Sequence, residues 1–464
     1  MKKIFNRSGG FISILLILSA FSPLYSQESS GSRTVESILT EAAEYLASRN
    51  YNSALSLFDT LPPEHAQNVN IKILRANIFN AAGRPADAKR IANEIIASDS
   101  RNTDALMALA DAAALENKER DRRGFLDRVI AIDPQHLRAL NDLANINLKN
   151  ANLRVAGNYF DRVLAVDPNN GEALVGRASV YRYNRESREA ERLLNRAAVL
   201  YPAWARPFHE RARLYRGAGY YSDAISDLAA AVNLEPDNYW ILVDYGQTLM
   251  EVNRPRDALV YLNRAISVSP NDFMAYVYSS AIKDGIGDYA GAETDYAMLG
   301  RLKPDYYFAF EALGVIRMRN KNWAGARDAF FEAYRQAPRE ECYGYAILAA
   351  LNSMRAGRQT DPRTFLSDVL RATPRNTLNY SMLRLLYDLS GDSNVTTLIE
   401  SERDLTTKSR MLFYLAEYFD IRGSRTLAER YYLMVHDLDI QGQLEWRLNE
   451  IVLADRGLGL RNAQ

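Results

Sequence analysis

Short apolar runs along this chain end repeatedly in the same polar stop. Residues 232–238 read VNLEPDN, and AIDPQH (131–136), AVDPNN (165–170) and SVSPND (267–272) follow the same pattern. Proline cannot continue a helix, so each run predicts a helix that ends just before its proline. These prolines are spaced 34 residues apart: Pro134, Pro168, Pro202, Pro236, Pro270, Pro304 and Pro338. A fixed period of this length predicts a tandem array of one helical unit.

The same period orders the side chains inside each unit, counted from residue 103. Small residues fill the eighth place, alanine fills the twentieth in six of seven units, and large apolar residues fill the twenty-fourth. The eighth-place residues are Ala110, Ala144, Ala178, Ala212, Gly246, Ser280 and Gly314. The twentieth holds Ala156, Ala190, Ala224, Ala258, Ala292 and Ala326, with Arg122 as the exception. The twenty-fourth holds Leu126, Phe160, Leu194, Leu228, Leu262, Tyr296 and Phe330. Antiparallel helices approach closely where side chains are small, and large apolar residues fill the space to the next pair.

Turn and cap residues punctuate the units. GRPADA (83–88), GYYSDA (219–224) and GDYAGA (287–292) each offer a glycine to end the first helix. Ser222 is predicted to cap a second helix, and Pro85 suits the first turn of another. Caps for the first helices are predicted at Asn170, Asn238, Asp272 and Asp305.

The combination of small residues, alanine, large apolar residues and a closing proline at this spacing resembles the tetratricopeptide repeat (TPR) family. The resemblance implies an all-α fold, a right-handed superhelical solenoid of about ten to eleven helix–turn–helix repeats. It also implies a concave groove lined by the first helix of each repeat. A final helix, residues 444–455, is expected to cap the array, because a terminal repeat cannot bury its outer face alone.

The register predicts how the chain is divided. Residues 103–340 are predicted to form seven in-phase TPR units, preceded by TPR-like repeats in 35–102. Residues 341–408 are predicted to form longer and degenerate repeats, with a bend near 377–408. A terminal repeat and the capping helix are predicted in 409–464.

The N-terminus has the layout of a secretory signal peptide. A basic start, MKKIFNR, precedes the apolar run FISILLILSAF and a short polar exit. We predict a signal peptide over 1–26, cleaved after Ser26, and a short linker over 27–34; an uncleaved anchor is the alternative. No cysteine lies near the exit, so we expect an exported protein of the periplasm or cell envelope that is not a lipoprotein.

Composition and motifs give no sign of catalysis. The 57 basic and 57 acidic residues balance, so nothing favours nucleic acid or an anionic membrane as a partner. The four histidines are far apart, and Cys342 is expected to be a small core residue. No phosphate-binding, nucleophile-elbow or zinc-protease motif occurs. We therefore predict no enzyme activity, no metal and no cofactor.

The TPR resemblance also supplies candidate groove residues. In that family the second, fifth, ninth and twelfth places of each first helix face the groove. Here those places hold a basic, amide-bearing stretch followed by an apolar, aromatic stretch. The candidates are Arg138, Asn141, Asn145, Arg182, Arg206, His209, Arg213, Arg216, Trp240, Met250, Met274 and Phe308. Arginine can hold carboxylates in a bidentate manner, and the apolar residues could hold apolar side chains. The alternative is that the arginines form a solvated, ion-paired face.

Part of this set resembles the carboxylate clamp of chaperone-binding TPR domains. Asn145 and Arg213 match the clamp, whereas Asn141, Ser179 and His209 depart from it. Residues 411–435 resemble the terminal repeat of envelope TPR lipoproteins. Together these features predict a non-enzymatic scaffold that binds other envelope proteins or peptide segments, reaching a membrane only through a partner. The alternatives are a ligand-binding component of a periplasmic transport system and an outer-membrane or cell-wall assembly factor.

Overall fold

A computed structural model of the chain describes residues 35–339, 342–357 and 361–458. The signal peptide and linker predicted over 1–34 lie outside these residues. The described part of the chain forms 26 α-helices and no strand, and consecutive helices pack in pairs. This confirms the predicted all-α solenoid of helix pairs. The chain divides after Pro236 into two compact units, here called unit 1 and unit 2.

Unit 1 contains helices α1 to α13. First helices of successive repeats contact one another, as α8 contacts α10 and α10 contacts α12, so they form an inner layer. The helices are α1 Val35–Ala47, α2 Tyr51–Phe58, α3 Pro63–Ala66, α4 Val69–Ala81, α5 Pro85–Ser98, α6 Thr103–Leu115, α7 Glu119–Ile132, α8 Leu137–Lys149, α9 Leu153–Val166, α10 Gly171–Tyr183, α11 Ser187–Leu200, α12 Ala205–Gly217 and α13 Tyr221–Leu234.

Unit 2 contains helices α14 to α26. They are α14 Tyr239–Glu251, α15 Pro255–Val268, α16 Phe273–Gly285, α17 Tyr289–Leu302, α18 Tyr307–Arg319, α19 Trp323–Gln336, α20 Cys342–Arg355, α21 Asp361–Ala372, α22 Leu378–Asp388, α23 Asp392–Glu400, α24 Leu405–Ile421, α25 Arg425–Leu438 and α26 Leu444–Asp455. Helices α22 and α23 are short, and α20, α22 and α24 all contact one another. The array therefore turns tightly in the segment for which the sequence predicts a bend.

The core of each repeat follows the predicted register. Alanines at the twentieth place are fully buried, as are most of the large residues at the twenty-fourth. A Cβ atom added to Gly314 would lie 2.5 Å from the ring of Phe330, and one added to Gly246 would lie 2.5 Å from Leu262. The small eighth place thus lets the second helix bring its large side chain against the backbone of the first.

Three of the four predicted first-helix caps are confirmed. The side chains of Asn170, Asn238 and Asp272 accept backbone N–H groups at the starts of α10, α14 and α16. The prediction for Asp305 is wrong, because the N-cap of α18 is Tyr306, which makes no side-chain cap. Asp305 stands one place early in the 34-residue register and pairs with Lys303 instead.

The turns within repeats confirm the glycine and proline predictions but not the cap at Ser222. Gly83 and Gly219 adopt φ of +71° and +81°, which the left-handed end of a first helix requires. Pro85 is the first residue of α5, as predicted. Helix α13 begins at Tyr221 after the N-cap Tyr220, so Ser222 already lies inside the helix. Second helices begin at this same place of the register also where Ala151 or Asn253 replaces the glycine, so the register and not the side-chain pattern sets the start.

Candidate functional site

The twelve predicted groove residues all lie on first helices of the inner layer. Helices α8, α10, α12, α14, α16 and α18 begin at the residues that the register assigns, so the second, fifth, ninth and twelfth places hold. Two sets result, one in each unit, and each is described by itself. The polar face in unit 1 comprises Arg138, Asn141, Asn145, Arg182, Arg206, His209, Arg213 and Arg216. The apolar face in unit 2 comprises Trp240, Met250, Met274 and Phe308.

Arginines of the polar face are paired with carboxylates of neighbouring first helices. Arg138 Nη2 donates to both oxygens of Asp111, at 2.6 and 2.7 Å, and so joins α8 to α6. Arg206 Nη1 donates to Glu172 Oε2 at 2.6 Å and joins α12 to α10. These bonds join successive repeats, so ion pairs as well as apolar packing hold the first helices of the inner layer together.

Glu210 is the electrostatic centre of the polar face. Arg182 and Arg213 lie 3.4 and 3.2 Å from its carboxylate oxygens. Burial by itself would raise the pKa of Glu210, but the charges of Arg213 and Arg182 hold that pKa below its ordinary value. His209 and Arg206 act in the same direction. The carboxylate is therefore ionised at neutral pH and neutralises part of the arginine cluster.

The remaining polar-face residues are more enclosed than a free binding surface would be. Asn141 donates to Asn170 Oδ1 at 3.1 Å, and His209 is buried at 7% exposure. Asn145 and Arg216 are half-buried. An incoming carboxylate would have to replace acidic partners that these arginines already hold. Anion binding by the polar face stays a prediction. It would require an incoming anion to displace the carboxylates that now pair with the arginines.

The apolar face differs in being open. Trp240 and Phe308 are 50% and 49% exposed. They occupy the second place of α14 and α18, and Met274 occupies the second place of the intervening α16. Met274 and Met250 are half-buried. The second places of these three successive first helices thus form an apolar row.

Neighbouring tyrosines support the two exposed rings. Tyr239 lies edge-on to Trp240 with ring centroids 5.1 Å apart, and Tyr307 stacks on Phe308 at 4.1 Å. Aromatic pairs in these geometries are worth about 0.5–1.5 kcal/mol beyond burial. The exposed rings are therefore held in place before any partner arrives.

Sequence reasoning missed a closure within unit 2. The last helix, α26, packs on α24 and α25 as the predicted cap should. It also reaches back 163 residues, because Arg447 Nη2 donates to Asp284 Oδ2 at 2.6 Å. Asp284 occupies the twelfth place of α16, a groove position, but no local signal in the sequence connects it with Arg447.

A cavity of about 670 Å³ lies between α18–α20 and α24–α26. Arg355 lines it and donates to Glu417 at 3.0 Å and to Asp420 at 2.6 Å. Arg456 lies 2.7 Å from the other oxygen of Asp420. Burial would raise the pKa of Asp420, but the hydrogen bonds from Arg456 and Arg355 hold it below its ordinary value. In this network two arginines pair with two carboxylates, so their charges balance within the cavity.

Two other chemical features bear on function. Burial raises the pKa of the Cys342 thiol, which is 6% exposed, and this disfavours the reactive thiolate. Over the described ranges, no three His, Cys, Asp or Glu side chains come together as ligands for a metal ion. Likewise, none of the helices described combines the length and apolarity needed to cross a bilayer.

Comparison with known proteins finds similarity at the level of the single repeat. Models of the tetratricopeptide repeat match residues 73–136, 141–205 and 215–278. Human Superkiller complex protein 3 is 29% identical over 112 residues, which is 24% of this chain. The chain spans only 7% of the length of that relative, so the similarity concerns repeats and not the whole protein.

Solved structures of repeat proteins also show similarity. A tetratricopeptide repeat protein from Parabacteroides merdae is 15% identical with a TM-score of 0.43, over 53% of this chain and 97% of its own. PilW, a type IV pilus biogenesis factor, is 18% identical with a TM-score of 0.41, over 46% and 98%. YrrB, described with an unusual peptide-binding site, is 20% identical with a TM-score of 0.35, over 41% and 95%. At these identities and TM-scores the likenesses say nothing about partners or activity.

Proposed function

This chain carries tetratricopeptide repeats, and on that premise we propose that it is a non-enzymatic scaffold whose apolar face binds segments of partner proteins. Proteins built from these repeats act as protein-interaction scaffolds. The observation that carries the proposal is the row of Trp240, Met274 and Phe308, one residue per repeat, with two large rings half exposed.

The chemistry of this row suits protein recognition. Aromatic and methionine side chains are enriched at the centres of protein interfaces, and tryptophan is among the residues that contribute most of the binding energy. Rings already supported by Tyr239 and Tyr307 lose little freedom on binding. A partner segment that offers apolar side chains at the spacing of successive repeats would cover the row.

The proposal includes a cellular place. The basic and apolar layout of residues 1–26 supports export to the periplasm or cell envelope of a bacterium. Mass spectrometry of the protein from envelope fractions should find a mature N-terminus after Ser26. An intact N-terminus in the cytosolic fraction would rule out this part of the proposal.

Capture from a crosslinked envelope extract tests the apolar face directly. The bait is residues 27–464, compared with Trp240→Ala/Phe308→Ala and with a control, Tyr220→Ala, which removes a 61% exposed aromatic outside the row. We expect partner recovery to fall at least tenfold with the double variant and to persist with the control. Equal recovery with both variants would remove the apolar face from the proposal.

A second bait tests the polar face. Arg206→Glu/Arg213→Glu/Arg216→Glu reverses charge in α12 without touching α14, α16 or α18. Partners that are lost with this bait alone would place binding on the polar face instead. If no protein is captured by any bait, but a small molecule raises the melting temperature of the chain, the transport-component alternative replaces the scaffold.

A further inference from the structure

The cavity in unit 2 has two walls that are distant in sequence. Met318, Trp323 and Arg355 come from α18, α19 and α20, whereas Leu448 and Val452 come from α26. Its volume of about 670 Å³ falls within the roughly 300–1,000 Å³ of small-ligand sites. The cavity exists because the tight turn at α22 and α23 brings the end of the chain back against the middle of unit 2.

The floor of the cavity is charge-balanced. Arg355 and Arg456 face Glu417 and Asp420 at 2.6 to 3.0 Å. The Glu417 side chain is 1% exposed, and its other oxygen accepts a hydrogen bond from Tyr432 at 2.6 Å. A ligand of one charge sign would have to break this satisfied network, so the floor favours a ligand with no net charge.

The rim also carries both signs, but its pairs are loose. Lys321 and Asp455 are 3.9 Å apart with side chains 69% and 52% exposed. Glu429 lies 3.9 Å from Arg456, which stays held by Asp420 on the floor. Exposed pairs at such distances contribute little, about 0–1 kcal/mol. Exchanging the Lys321–Asp455 pair for a ligand carboxylate on the lysine and a ligand ammonium on the aspartate therefore costs little.

Apolar side chains line the walls of the cavity between its floor and its rim. Met318, Leu448, Ile451 and Val452 line it, together with the ring of Trp323, over which Arg355 lies with its guanidinium carbon 5.1 Å from the centroid. These groups would accept aliphatic side chains. The cavity thus combines an aliphatic interior with an entrance that carries both charge signs, from Lys321 and Arg425 and from Asp455 and Glu429, and the Lys321–Asp455 pair is loose enough to exchange.

We propose that this cavity binds short peptides with aliphatic side chains and both termini free. The ammonium group pairs with Asp455, the carboxylate pairs with Lys321, and the side chains pack on Trp323 and the apolar residues of α26. The site is separate from the apolar face formed by Trp240, Met274 and Phe308. It goes beyond the scaffold proposal, and either can fail while the other stands.

Calorimetric titration of residues 27–464 with trileucine tests the site. The same peptide with its N-terminus acetylated, its C-terminus amidated, or both, removes the charges one at a time. We expect trileucine to bind, each single block to raise its Kd by about two- to fivefold, as the loss of one exposed ion pair predicts, and the double block to raise it further. No heat with any of the four peptides, or one Kd for all of them, would overturn the proposal.

Two variants locate the binding. Val452→Trp fills the cavity and should raise the Kd of trileucine at least tenfold, whereas Val260→Trp, at a 63% exposed site on α15, should leave it unchanged. Lys321→Asn suits the φ of +57° at this position and removes one rim cation while leaving Arg425 in place. It should weaken trileucine by about two- to fivefold yet leave the affinity for trileucinamide unchanged.

The Lys321→Asn variant keeps the test decisive if Val452→Trp fails to fold. Equal weakening of both peptides by Lys321→Asn would overturn the pairing between Lys321 and the peptide carboxylate. The double variant Trp240→Ala/Phe308→Ala should bind trileucine like the unaltered chain. A loss there would place the peptide on the apolar face and overturn the cavity proposal.

Discussion

Units 1 and 2 pack their repeats in a similar way, but their inner faces carry different side chains. In both, a large twenty-fourth-place ring packs against a glycine of a first helix: Phe160 against Gly176, the sixth place of the next repeat, in unit 1, and Phe330 against Gly314, the eighth place of its own repeat, in unit 2. In the polar face of unit 1, arginines form ion pairs with Glu210. In the apolar face of unit 2, the rings of Trp240 and Phe308 are each about half exposed. Within each repeat, one group of positions therefore determines the packing of the core, and another group determines the inner face. The side chains of the inner face can change without a change in the core.

The largest expected effect tests the shared core. Phe160→Ala in unit 1 and Phe330→Ala in unit 2 each remove a fully buried ring, and each should cost about 3–5 kcal/mol. Because repeats couple mainly to their neighbours, amide hydrogen exchange should accelerate most in the altered repeat and the repeats beside it. Urea denaturation and hydrogen exchange measure the two results.

Val199→Ala, at a side chain that is 80% exposed, is the control and should change stability by under about 0.5 kcal/mol. Costs for the two phenylalanines that differ by more than about twofold would break the comparison, because the repeats could then not share one packing rule.

The core was predictable because its signals recur every 34 residues and act over one or two turns of helix. Asn170 as a cap and Phe330 as a core residue follow from their places alone. Asp305 failed as a cap because one residue of register separates it from Tyr306, and side-chain type does not resolve that difference.

The faces were less predictable. The sequence places Arg182, Arg213 and Glu210 but does not show that they converge, since this depends on how successive first helices are spaced. The contact between Arg447 and Asp284 depends on the tight turn at α22 and α23, and no local pattern records its direction.

An intermediate effect is expected from Glu210→Gln in the polar face. Its charged hydrogen bonds should make the substitution cost about 2 kcal/mol at pH 7. The folded pKa of Glu210 lies below that of an unfolded glutamate, roughly 4.3. Its stabilisation is therefore full above that value and is lost as pH falls through the folded pKa. Urea denaturation of both proteins from pH 7 to 3 should show their difference shrinking below about pH 4.

Glu189→Gln provides the matched control in unit 1, because Glu189 pairs with Arg192 at 3.0 Å but is 48% exposed. It should change stability by less than about 0.5 kcal/mol at every pH. A Glu210→Gln protein as stable as the original at pH 7 would mean that the arginines of the polar face are not held by this carboxylate, and would make that face as open to partners as the apolar one.

The smallest effect is expected from Arg447→Ala, which cuts the ion pair between α26 and α16. Arg447 is 47% exposed, so global stability should fall by only about 0.5 kcal/mol. Arg335→Ala, which breaks an exposed pair within α19, should cost a similar amount. Only Arg447→Ala should accelerate hydrogen exchange in α26, because this pair ties the end of the chain to a helix 163 residues earlier. Unchanged exchange in α26 would show that packing on α24 and α25 alone holds the helix, and that unit 2 closes by its turn at α22 and α23 rather than by charge.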